Sequence, residues 1–187
     1  MTIVAAPVAA ARRWVVVRFS ILFLGVLVCV STLGEGIVRA DSTRFIPWKD
    51  ATAPALALND LGGAPRTLGD YRGRILLVNF WATWCEPCRD ELASINKLQE
   101  KLAGKPFVVL LINYGEARAR VADFVKRESI VFPILLDPNQ DASKAWRVRV
   151  LPSSFLVGPD GHVRYSVIGE IDWAQAHAVE IVQSLLR

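Results

Sequence analysis

The chain has 187 residues, 22 basic and 18 acidic, a formal net charge of +4 and 52% hydrophobic content, which suits one ordinary domain with a sizeable core plus a short appendage. The excess charge is local. Arg12, Arg13, Arg18 and Arg39 stand against Glu35 alone before Asp41, leaving 18 basic and 17 acidic residues, a net of +1, in the rest. A near-neutral domain gives no electrostatic reason to expect nucleic acid as a partner.

Residues 1–40 read as a targeting segment outside the fold. Three arginines precede an uncharged, mostly apolar run from Phe19 to Leu33. That charge order places the N-terminus in the cytoplasm and the rest across the membrane. Two fates fit the segment. Val38-Arg39-Ala40 is an acceptable cleavage site for a signal peptide. Alternatively, the stretch from Trp14 to Leu33 approaches the ~20 residues of a membrane anchor, with Arg18 snorkelling to the headgroups. Cys29 lies in this run and reads as an unreactive cysteine. Residues 41–54 are polar, carry Pro47 and Pro54, and read as a linker whose Trp48 packs on the domain. Residues 55–187 form the domain itself.

Ala55 to Leu58 is a short strand, Asn59 to Gly63 has turn chemistry, and Arg66 to Leu68 returns as the partner strand. Ile75 to Trp81 is a buried strand. A helix runs from Glu86 to about Ala103, closed by Gly104 and Pro106. Phe107 to Ile112 is the next strand. Glu116 to Glu128 is an amphipathic helix with Ala117, Val121, Phe124 and Val125 on one face. Phe132 to Leu136 is the third parallel strand, and Asp141 to Trp146 a short helix. Ser154 to Val157 and His162 to Ile168 form an antiparallel hairpin around Gly158-Pro159-Asp160-Gly161. Asp172 opens the last helix, with Gln175 completing a capping box and Ala178, Ile181, Val182 and Leu185 facing inward.

Cys85 and Cys88 are the only cysteines of the domain. They fall where the strand ending at Trp81 hands over to a helix. The unpaired N–H groups at a helix start favour thiolate over thiol, and the thiolate is the nucleophile. Pro87 suits the first turn, where its missing N–H costs nothing. A reversible disulfide is the first reading of the pair. A metal site needs more than the two ligands of a lone C-x-x-C, and no second C-x-x-C or H-x-x-x-H follows, so no metal is expected. Cys85, at the helix start, is the expected nucleophile, and Cys88, one turn in, the shielded resolving sulfur. Glu86 places a carboxylate beside the sulfurs and disfavours thiolate by like-charge repulsion. That makes the dithiol an electron donor, a reductant rather than an oxidant; the other reading of Glu86 is a favourable first-turn acid and nothing more. Trp81 reads as core and Trp84 as an apolar contact surface for substrate. Glu91, three residues after Cys88, shares its helix face; by itself it reads as a surface acid. His162 and His177 are not expected near the cysteines.

The run F-W-A-T-W-C-E-P-C-R-D-E-L, from Phe80 to Leu92, resembles the membrane-tethered TlpA/ResA branch of the thioredoxin superfamily. The similarity extends from about Pro54 to the C-terminus, including L-G-D-Y-R-G-R (Leu68 to Arg74) and the V-R-V-L-P-S-S-F-L-V phrase from Val148 to Val157. It implies an α/β thioredoxin fold: a central mixed sheet flanked by helices, with an added N-terminal β-hairpin. It implies thiol–disulfide exchange at Cys85 and Cys88 with no cofactor beyond the redox-active disulfide. Glu86 and Pro87 tune the redox poise, and Glu91 influences cysteine acidity and substrate recognition. Leu151-Pro152 becomes a cis-proline turn lying against the cysteines, with the Leu151 backbone free to pair with a substrate chain. Asn79 stands where thioredoxin has a buried aspartate, and an amide cannot accept a proton. The implied partners are protein thiols and disulfides, such as apocytochrome c or copper-chaperone cysteines, and a membrane thiol carrier supplying electrons to a monomer in the periplasm or on the extracytoplasmic face of the membrane. The alternative is a copper metallochaperone of the Sco type, which shares the fold but needs C-x-x-x-C and a downstream histidine. A peroxidase would need P-x-x-x-T-x-x-C, and Cys85 lacks it.

Overall fold

The computed structural model describes residues 45–50 and 52–186. The expected targeting segment, residues 1–40 with Cys29, and residues 41–44 and 51 of the expected linker lie outside them. Eight strands form one sheet: β1 (Ile46–Pro47), β2 (Ala57–Asp60), β3 (Pro65–Thr67), β4 (Ile75–Trp81), β5 (Phe107–Tyr114), β6 (Ile134–Asp137), β7 (Ser153–Val157) and β8 (Val163–Ile168). Four α-helices accompany them: α1 (Glu86–Lys101), α2 (Arg118–Arg127), α3 (Asp141–Ala145) and α4 (Ala176–Ser184). The spatial order is β1-β8-β7-β4-β5-β6-β2-β3. β4, β5 and β6 run parallel, joined by α1 and α2, as helical crossovers require. β7 and β8 add antiparallel on one side, and the β2–β3 hairpin adds antiparallel to β6 on the other. This is the thioredoxin arrangement with the expected extra hairpin.

β4 is the middle of the molecule. All seven of its residues are buried, so it reads as a continuous apolar run broken only by Asn79. Alternation sorts its side chains. Ile75, Leu77 and Trp81 join a core with Leu92, Ile95 and Leu98 of α1, Val121 and Phe124 of α2, and Val179 and Val182 of α4. Leu76, Val78 and Phe80 face the other core, with Trp146 and Phe155. Asn79 therefore projects to the α1 side. Each fully buried large apolar side chain contributes about 1.5–3 kcal/mol, so the strand carrying the site is held firmly between the two cores.

Two local outcomes differ from the sequence expectation. Within the stretch read as a linker, Ile46 and Pro47 pair with Ser166 and Tyr165 as an edge strand. Trp48 follows them onto the domain, its ring edge-on to Phe155 at 5.6 Å. The last helix begins at Ala176 rather than Asp172. Asp172 Oδ1 accepts from Ala174 N at 2.9 Å. This local turn uses the side chain that would have capped a helix.

Candidate active site

The turn between β4 and α1 places the cysteines. Cys85 is the N-cap of α1, with extended backbone, and Glu86 and Pro87 occupy the first turn. Cys85 and Cys88 are joined in a disulfide, and Cys85 Sγ accepts from Cys88 N at 3.3 Å. Cys85 is 5% exposed and Cys88 1%, so only the first borders solvent. A groove of 380 Å³ opens over it, lined by Trp84, Cys85, Glu86, Pro87 and Tyr114 on one side and Val148 to Leu151 on the other. The Leu151–Pro152 peptide is cis. Trp84 is 60% exposed and Val150 52%, a pair of apolar side chains left uncovered at the rim. Trp81 is fully buried against Phe124. A larger cleft of 760 Å³, between the β2–β3 hairpin and the starts of α2 and α3, contains no cysteine.

Glu91 is not a surface acid. It is 1% exposed. Its Oε2 accepts from Asn79 Nδ2 at 2.9 Å, and its Oε1 accepts from Trp173 Nε1 at 2.8 Å and Ile171 N at 3.3 Å. Asn79 Nδ2 also donates to Ser154 Oγ at 2.8 Å, across the β4–β7 register. Loss of water pushes the Glu91 carboxyl up to about 7, against the opposing pull of these three hydrogen bonds. The buried titratable group that Asn79 cannot supply is thus present one turn beyond Cys88 on α1. Asn79 reaches it as a donor.

A second buried carboxylate, Glu116 just before α2, holds the other side of the turn. Glu116 accepts from Thr83 N at 2.7 Å, Thr83 Oγ1 at 2.6 Å and Asn113 Nδ2 at 2.8 Å, and pairs with Arg120 at 3.0 Å. Burial pushes its carboxyl up, but the Thr83 and Asn113 hydrogen bonds and the Arg120 charge outweigh this and hold it below the usual range. Thr83 lies two residues before Cys85, so Glu116 fixes the backbone that presents Trp84 and Cys85. His162 lies beside Asp160 and the His177 ring meets Phe45 edge-on, both away from the disulfide. Among the described residues no group of three or more His, Cys, Asp or Glu could hold a metal ion.

A thioredoxin-type sheet with a vicinal cysteine pair at a helix N-terminus, one sulfur open to a groove beside a cis-proline, defines a thiol–disulfide oxidoreductase site. Comparison with known proteins agrees. Residues 50–166 match the AhpC/TSA family. The thiol-disulfide oxidoreductase ResA of Geobacillus kaustophilus is 34% identical over 84% of this chain and 89% of its own length. The ResA of Bacillus subtilis is 32% identical over 89% and 91%. A thiol:disulfide interchange protein DsbE from Chlorobium tepidum superposes with a TM-score of 0.69 at 26% identity, covering 75% of this chain and 99% of that one. The chain belongs to the AhpC/TSA family and, within it, to the ResA-type thiol–disulfide oxidoreductases.

Proposed function

We propose that the protein reduces disulfides in extracytoplasmic proteins through the Cys85/Cys88 dithiol, with the disulfide as its only redox group. The Cys85 thiolate attacks a substrate disulfide. One substrate sulfur joins Cys85 in a mixed disulfide, and the other leaves as a thiolate that takes a proton. Cys88 loses its proton and attacks Cys85, so the substrate departs as a dithiol and the enzyme is left as the Cys85–Cys88 disulfide. Two electrons and two protons pass to the substrate per turnover. The carrying observation is the asymmetry of the pair: Cys85 borders the 380 Å³ groove while Cys88 is closed off behind it.

The groove supports an extended substrate segment laid between Trp84 and Leu151-Pro152, pairing with the Leu151 backbone. Glu86 at its edge and Glu91 beneath bias the dithiol towards electron donation. We assign the substrates to the class of apocytochrome c and copper-site cysteines, and the electron source to a membrane thiol carrier. The domain, residues 55–187 with the segment from Phe45 to Trp48 packed against it, acts as a monomer held at the extracytoplasmic face of the inner membrane, or released into the periplasm, according to the fate of residues 1–40. A Sco-type copper role lacks support: the spacing is C-x-x-C and neither histidine approaches it. A peroxidase role lacks the threonine and proline: Ala82 and Val78 occupy those places before Cys85.

Trapping tests the proposal. Cys88→Ala, expressed in the native host, should accumulate proteins disulfide-linked to Cys85, and Cys85→Ala should trap none. A Cys88→Ala protein free of mixed disulfides, while the native protein still reduces protein disulfides, rejects it.

A further inference from the structure

Glu91 is surrounded by donors and by no cation. Among the described residues no lysine, arginine or histidine forms an ion pair with it. The groups facing it can be named by element. On α1 itself Cys88 lies one turn before it. β4 and β7 present neutral Asn79 and Ser154. The segment between β8 and α4 supplies Ile171 N and Trp173 Nε1, together with Glu170, whose charge opposes ionisation of Glu91. Both carboxylate oxygens are thus occupied by N–H groups. A proton arriving on either oxygen competes with N–H groups that bind the charged form better than the neutral one, so each donor opposes protonation.

Trp173 is the donor best placed to decide that contest. Its side chain is fully buried. Its indole bond, 2.8 Å, is the shorter of the two on Oε1. An indole N–H donates only and does not titrate, so it acts as a fixed bias. Ring and backbone are both held. Phe45 stands edge-on to the Trp173 ring at 5.8 Å and 84°, and Trp173 N donates to Ser94 Oγ at 3.1 Å, which itself donates to the Glu91 carbonyl at 2.8 Å.

We propose that Trp173 is a positioning residue of the redox site, whose indole N–H fixes the Glu91 carboxylate one turn along α1 from Cys88 and favours its ionised form. The consequence for exchange rests on the reading of Glu91 as a tuning group, given above. The position of the Glu91 carboxylate does not.

The test separates the two. The Glu91 side-chain carboxyl is followed by carbon NMR against pH in the disulfide form, where the cysteines do not titrate, its resonance assigned by Glu91→Gln. The native midpoint is expected at about 7. Trp173→Phe should raise it by about one pH unit, the worth of a hydrogen bond to a charged group. Benzothienylalanine at position 173 keeps the shape and lacks the N–H, so it covers the case in which the smaller phenyl unsettles the fold. It should give the same rise. A midpoint unmoved by the isostere overturns the proposal. The pH profile for reduction of a small disulfide by the reduced protein is then measured on the same variant. A profile displaced in the same sense extends Trp173 to the reaction; a profile that stays put while the Glu91 midpoint moves overturns the tuning role of Glu91 and leaves the anchoring intact.

Discussion

Two buried carboxylates flank the cysteine turn, and they bend stability in opposite directions. Glu91 has a folded-state value near 7 against an ordinary 4.5. The native protein therefore holds a proton there that the unfolded chain releases, and its favourable contribution is full below about 4.5 and lost as pH rises through about 7. The shift corresponds to about 3 kcal/mol. Glu116 is held low, so its contribution is present above the ordinary carboxylate range and is lost as the medium acidifies through its folded value. Unfolding midpoints in urea across this range should show Glu91→Gln gaining, relative to the native protein, between pH 5 and about 8. Identical pH dependence in both proteins would mean that Glu91 is not held as the structure has it. The resemblance pointed to this residue, but the local sequence did not disclose its burial. D-E after C-x-x-C-R reads locally as a solvated helix edge, and what buries Glu91 comes from Asn79, Ile171 and Trp173, brought in by tertiary packing.

At the scale of elements, the link from β4 to α1 is held by hydrogen bonds rather than by helix propensity. Cys85 must serve as an N-cap although a sulfur is a weak acceptor. The clamp from Glu116 to both the backbone and the hydroxyl of Thr83 compensates by fixing the approach to the helix. Thr83→Val keeps the shape and removes the hydroxyl, leaving Glu116 and Arg120 each one partner short. It should cost about 1–2 kcal/mol, read as a lower urea midpoint with an unchanged slope; an unchanged midpoint would show that the clamp carries no weight. Most elements were legible in the sequence, because apolar runs and helical spacing are local signals. α4 was misplaced by four residues because Asp172 satisfies two competing local patterns, and the turn prevails once Trp173 is buried. β1 was not legible: two residues carry no periodicity, and only the register against β8 makes them a strand.

Across the whole molecule, the eight-stranded sheet has two edges, and both carry proline. Pro47 lies in β1 and Pro65 in β3. Each removes a donor from the open side and discourages pairing with another chain. The β1 edge does more than close the sheet. It brings Phe45 to Trp173 and Trp48 to Phe155, so the first described residues touch both cores. Trp48→Ala should lower stability by about 3 kcal/mol while unfolding stays a single transition by tryptophan fluorescence and circular dichroism. Two separated transitions would show that residues 45–50 are not part of the cooperative unit.

The central claim is that the two sulfurs are unequal, Cys85 meeting the outside and Cys88 waiting behind it. The direct measurement is to treat the reduced protein briefly with limiting iodoacetamide and locate the label by peptide mass mapping. The account predicts modification almost wholly at Cys85. Equal labelling, or a preference for Cys88, would contradict it.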